Sequence, residues 1–174
     1  YAGSKPVPGV TIEIRDAKGV GVARTTTGAD GSCEFTSPAE GWSIDEPTKE
    51  REEPPTVGVT TLDITLLRRH ILGIAPLDSP FKILAGDVNG SGSVTTLDLI
   101  LMRHLILGLS DSYPGPMWRF VRPEMQANAR GSDGSAGGAS ETDFVGIKLG
   151  DVNGSWTAPT TPAVPPKTFM SKGG

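Results

Sequence analysis

The 174-residue chain has one cysteine, few aromatic residues, no excess of basic charge and no long apolar run, and each shortage excludes something. A lone Cys33 rules out an internal disulfide and any zinc site built from several thiolates. A formal net charge of −4 gives no general attraction for nucleic acid or an anionic membrane surface. The longest apolar candidate, Leu97 to Leu109, is interrupted by Asp98, Arg103 and His104 and falls short of the roughly 18–20 residues of a membrane-spanning helix. Catalytic signatures are missing as well. No serine sits in a Gly-x-Ser-x-Gly context and no glycine-rich phosphate loop follows a strand. His70 and His104 lie beside arginines without acidic partners at metal spacing, so they read as ordinary core or surface histidines. A chain that opens on Tyr1 reads as a processed product, an excised piece or a partial sequence.

Glycine and proline, by contrast, are abundant (23 and 15 residues), and the apolar residues are clustered between them. This pattern predicts a small core with long irregular connections. Residues 1–50 read as short strands. Val10 to Ile14 alternates at period 2, Val20 to Thr27 is a second β-prone run, Cys33-Glu34-Phe35 alternates again, and Trp42 and Ile44 close the set. Residues 45–56 are charged and proline-rich and look like a linker, placed at 51–56 between the strand segment and the repeats beyond it.

Two repeats organise the rest. Gly58-Val59-Thr60-Thr61-Leu62-Asp63 and the apolar segment after it recur 35 residues on, as Ser93-Val94-Thr95-Thr96-Leu97-Asp98 and its own apolar segment. This is the signature of a duplicated supersecondary unit. Each copy opens on Thr-x-x-Asp, a capping-box-like start, and closes near a glycine suited to a left-handed helix end. Apolar residues at 64, 67, 71 and at 99, 102, 106 give each predicted helix a buried stripe. The second repeat is Gly-Asp-Val-Asn-Gly-Ser, at 86–91 and again at 150–155, with lead-ins Phe81-Lys82-Ile83-Leu84 and Val145-Gly146-Ile147-Lys148 that look alike. Between the repeats lies an insertion at 111–143 carrying Trp118 and Phe120, whose rings offer a stacking surface for sugars, although covering a small core is the commoner use. A Pro/Thr-rich tail fills 157–174.

From Asp87 to Asp98 the spacing fits an EF-hand-type calcium loop. Asp87, Asn89, Ser91, Thr95 and Asp98 put oxygens at positions 1, 3, 5, 9 and 12, Ser93 supplies a carbonyl at 7, and Gly92 stands at 6, where the chain must turn sharply. A hard cation needs several oxygens around one point, and this spacing wraps them there. Asp98 replaces the usual Glu. The Asn-Gly-Ser triplets also read as glycosylation sequons, but their repetition inside a ligand register favours the metal. The first repeat lacks an upstream half, because counting back from Asp63 puts Pro54 at position 3. The missing Asp-x-Asn-x-Ser stands at 151–155. A second, split site is therefore expected, with Asp151, Asn153 and Ser155 from one end and the Gly58 carbonyl, Thr60 and Asp63 from the other. If those halves came from different chains, the ion would join subunits. Two carboxylates per site imply modest affinity, suited to extracellular calcium.

The duplicated loop-helix segments of residues 57–156 resemble type I dockerin modules, and the run from Gly-Val-Thr-Thr-Leu-Asp to Gly-Asp-Val-Asn-Gly is similar to modules of large secreted proteins of Bacteroidetes-type bacteria. The resemblance implies two bound Ca2+ ions, an extracellular or cell-surface setting, no enzymatic activity, and a protein-binding face at Leu62, Arg68 and Arg69 and at Leu97, Arg103 and His104. The front segment, Lys5-Pro6-Val7-Pro8-Gly9-Val10 to Asp30-Gly31-Ser32-Cys33-Glu34-Phe35, resembles the transthyretin-like or Cna-B-like β-sandwich repeats of bacterial surface proteins, with Cys33 as a small buried residue. In those repeats a further strand precedes this point, so an open sheet edge is expected. A strand from another copy, with Ala163-Val164 or Thr168-Phe169-Met170 of the tail as donor, would fill it. The expected architecture is α+β, a small N-terminal β-sandwich followed by a dockerin-like duplicated loop-helix module. The expected role is calcium-stabilised, non-enzymatic adhesion or assembly through a protein partner or the chain itself. The alternatives are a subunit of a self-assembling extracellular filament (a homopolymer) and a carbohydrate-binding accessory module.

Overall fold

A computed structural model describes residues 5–35, 42–50, 54–122 and 143–158. The alternating run forms β1 (Val10–Arg15), with Val10, Ile12 and Ile14 buried, paired antiparallel with β2 (Gly21–Thr26). Asp16 holds the hairpin turn, its carboxylate accepting from the N–H groups of Lys18 and Val20 at 2.9 Å each. The other side of β1 is taken by β3 (Ser43–Ile44) and β4 (Thr48–Lys49). β4 lies inside the stretch that reads as linker, so the sheet continues to Lys49. Cys33–Phe35 is not a strand. Asp30 accepts from Ser32 and turns the chain out of the sheet, and Phe35 instead meets the Trp42 ring edge-on at 5.4 Å. Among the described residues this segment is a single sheet, not a sandwich. Val10 and Ile12 face, across a cavity of about 650 Å3, the hairpin of β5 (Trp118–Val121) and β6 (Val145–Lys148). The facing layer thus comes half from the insertion (β5) and half from the lead-in of the second Asp-Val-Asn-Gly-Ser (β6). Residues 123–142 of that insertion and the tail residues named as strand donors lie outside the described residues.

The two repeated segments form α1 (Thr61–Ile71) and α3 (Thr96–Ile106), which pack against each other. Thr60 and Thr95 are their N-caps. The third helical residue, Asp63 or Asp98, accepts the cap residue's backbone N–H at 2.8 Å in both. Leu67 and Met102, central in the expected stripes, are fully buried, and the flanking stripe residues are partly so. His70 lies at the end of α1, where its Nδ1 accepts the Leu77 N–H at 3.1 Å. Val88 and Val152, the second residue of each Asp-Val-Asn-Gly-Ser, enter the same core with Tyr113, Met117, Trp118, Leu149 and Trp156. Each loop is therefore anchored by an apolar side chain between its first two polar ones.

The two lead-ins differ. Phe81 to Leu84 belong to α2 (Pro80–Gly86), started by Ser79 as N-cap and Pro80 at the first helical position. Val145 to Lys148 form β6. The strand is dictated by its partner, since β5 offers a register running from Trp118↔Lys148 to Val121↔Val145. Ile147 packs on Phe81 and Ala85 of α2, and the Gly150 N–H donates to the Ala85 carbonyl at 2.8 Å. Helix and strand thus end side by side, and each delivers an Asp-Val-Asn-Gly-Ser loop. Among the described residues no helix is long and apolar enough to cross a membrane.

Candidate metal centre

The oxygens of the continuous loop converge as its spacing predicts. The Ser91 N–H donates to Asp87 Oδ1 at 2.9 Å and to Asn89 Oδ1 at 2.8 Å, which draws both oxygens to one side of the loop. Ser91 Oγ lies 3.1 Å from the Ser93 carbonyl and 3.4 Å from Asp87 Oδ1. Asp87 Oδ2 accepts the Gly92 N–H at 2.9 Å. Gly92 has φ +85°, the left-handed turn that brings the chain back toward the helix. Asp98 closes the ring from the start of α3. Its Oδ1 accepts the Asn89 N–H at 3.2 Å, and its Oδ2 accepts the Thr95 N–H and hydroxyl.

The same set of contacts occurs a second time, between segments far apart in sequence. The Ser155 N–H donates to Asp151 Oδ1 at 2.9 Å and Asn153 Oδ1 at 2.8 Å. Ser155 Oγ lies 3.2 Å from the Gly58 carbonyl and 3.4 Å from Asp151 Oδ1. Asp63 Oδ1 accepts the Asn153 N–H at 2.9 Å across 90 residues of sequence, and Asp63 Oδ2 accepts the Thr60 N–H and hydroxyl. Asp151, Asn153, Ser155, Gly58, Thr60 and Asp63 thus stand to one another as Asp87, Asn89, Ser91, Ser93, Thr95 and Asp98 do, all within one chain. In both sets the threonine hydroxyl donates to the helix-capping aspartate.

One position departs from the spacing rule. Trp156 stands where Gly92 does, and its N–H donates to Asp151 Oδ2 at 2.8 Å as the Gly92 N–H does to Asp87. Glycine is needed at that place only when the chain must turn back. Here the next oxygen comes from another segment, so the chain runs on and a large side chain is allowed. Gly58 makes the room. It has φ +78°, and a Cβ on it would lie 2.7 Å from the Trp156 Cβ. The Trp156 indole meets that of Trp118 edge-on at 4.8 Å.

Asp63, Asp87, Asp98 and Asp151 are all buried. Burial pushes the Asp151 carboxyl above its ordinary range; the Trp156 and Ser155 N–H groups pull it back, and the nearby charge of Asp63 adds to the rise. The Tyr113 hydroxyl, buried against Gly150, is pushed up by burial and by Asp63 as well. Among the described residues no three His, Cys, Asp or Glu side chains cluster. Each site has two carboxylates, and its other oxygens are amide, hydroxyl and carbonyl. That all-oxygen set fits a hard divalent cation and is a poor match for zinc or copper.

The six residues expected on a binding face are exposed, Leu62 and Leu97 each by more than half. The reading along the chain missed Leu72 and Ile74 and their repeat partners Leu107 and Leu109, which are 58–70% exposed and flank Gly73 and Gly108. The 35-residue offset was the signal that marks them. Trp118, the candidate sugar platform, is buried in the core. Two basic side chains from outside the repeats were also missed. Lys5 Nζ donates to the carbonyls of Gly154 and Trp156 at 2.9 Å each, and Arg119 Nη1 lies 3.6 Å from Asp87 Oδ2.

Residues 58–107 match the family model of the dockerin type I domain, so this part of the chain is dockerin-like. The match spans α1, α2, α3 and the continuous loop and stops before the second Asp-Val-Asn-Gly-Ser. No curated protein and no solved structure matches the chain.

Proposed function

We propose that the chain is an extracellular, non-enzymatic assembly module held by two calcium ions, one in the continuous loop 87–98 and one in the split loop formed by 58–63 and 151–155. The observation that carries this reading is the contact-for-contact repetition of the loop's hydrogen-bond set in the second place. Side-chain packing alone has no reason to reproduce it. The exposed residues Leu62, Arg68, Arg69, Leu97, Arg103 and His104, with the apolar pairs after each helix, then form the face for a protein partner. Calcium titration calorimetry on chelator-stripped protein tests the two sites. Two ions are expected for the native chain and one for Asp151→Ala; a stoichiometry unchanged by Asp151→Ala would overturn the split site.

A filament subunit is a second reading, favoured by β2, which is an edge strand among the described residues and carries the exposed Val22, next to the exposed Val20. Electron microscopy with calcium and with EGTA decides it. Polymers in calcium support it, and monomers in both conditions dismiss it.

A further inference from the structure

We propose that Arg119, from the β5–β6 hairpin, is a built-in counter-charge that weakens calcium binding at the continuous loop and supports that loop when the ion is gone. The inference rests on the calcium reading of that loop. Arg119 Nη1 lies 3.6 Å from Asp87 Oδ2, and Asp87 is almost wholly buried. The guanidinium reaches across the loop at Gly90, where a Cβ would lie 3.0 Å from Arg119 Nη2.

A cation beside a metal-binding carboxylate acts in two opposed ways. It can hold the carboxylate in its binding orientation, which tightens the site, or it can cancel part of the charge that attracts the ion, which loosens it. The hydrogen bonds decide between these. Asp87 Oδ1 is already fixed by the Ser91 N–H, and Oδ2 by the Gly92 N–H, both at 2.9 Å. Arg119 approaches at more than hydrogen-bond distance and adds little orientation to a carboxylate held at both oxygens. What it adds is charge, at a place where burial limits screening by salt. Bound calcium and the guanidinium then repel each other, whereas in the calcium-free loop the guanidinium offsets the Asp87 charge.

The test uses the full chain carrying Asp151→Ala, so that only the continuous loop titrates. Adding Arg119→Gln should tighten calcium binding about ten-fold, and should lower the melting temperature measured in EGTA. Arg119→Lys keeps the charge and should stay near the Arg119 affinity. An affinity for Arg119→Gln that is unchanged or weaker overturns the role of Arg119 while leaving the loop a calcium site. Absence of calcium heat in the native chain overturns the calcium reading itself, and the counter-charge with it.

Discussion

Stripping calcium with EGTA should lower the melting temperature of this chain by about 10–20 °C. The sign follows from linkage, because the two oxygen rings exist only in the folded chain and ions that bind them stabilise it. At free calcium about a hundred-fold above the dissociation constant, each site contributes about 2.7 kcal/mol, and two contribute about 5. In a chain of this size one kcal/mol is worth roughly 2–4 °C. The effect is large here because four buried aspartates are gathered at two rings in a small core, and each ion would neutralise charge at one of those rings. Magnesium at the same concentration should restore much less, since it requires shorter bonds and a stricter octahedron than these loops offer. Differential scanning calorimetry in calcium, magnesium and EGTA measures all three. Superimposable melts in calcium and EGTA would reject both sites at once.

Replacing Trp156 by Ala should cost about 3–5 kcal/mol, the range for deleting a buried tryptophan. Trp156 is 2% exposed, sits against Gly58 and meets Trp118 edge-on. The backbone N–H that binds Asp151 survives the change, so the second oxygen ring loses its packing and keeps its hydrogen bond. Calcium stoichiometry should therefore stay at two, with weaker affinity at one site. Trp156→Phe, which retains an aromatic ring between Gly58 and Trp118, should lose less than half as much. Urea unfolding monitored by far-ultraviolet circular dichroism, with and without calcium, reports the difference. A loss below about 1 kcal/mol for Trp156→Ala would mean that the indole is not part of the core.

Much of the candidate site is legible in the sequence because its chemistry is local. Asp, Asn and Ser at alternate positions and a capping aspartate are read by counting, and a constant offset shows which copy lacks its first half. What counting misses depends on contacts across the fold. The two lead-ins are short apolar runs of similar composition, and such runs are compatible with helix or strand. Only the pairing of Val145–Lys148 with Trp118–Val121 makes the second a strand. β4 has two residues and exists because β1 has a free side there. Trp156 violates the glycine rule at its loop position because that rule describes a turn the chain does not make. Arg119 and Lys5 belong to neither loop motif, and their positions follow from how β5 and the N-terminal segment lie on the loops.

The contact between Asp63 and Asn153 joins the start of the first repeat to the last loop of the folded chain. A protein with one cysteine has no covalent tie between its distant parts, yet an ion held by Asp63 and Asp151 would fasten two segments some 90 residues apart. Because both rings form only in the folded chain, the ion does not cross-link the denatured ensemble; it acts by binding the folded state, where it opposes separation of the two segments. It would do the work of a disulfide, but with its strength set by the calcium of the surroundings and not by their redox state.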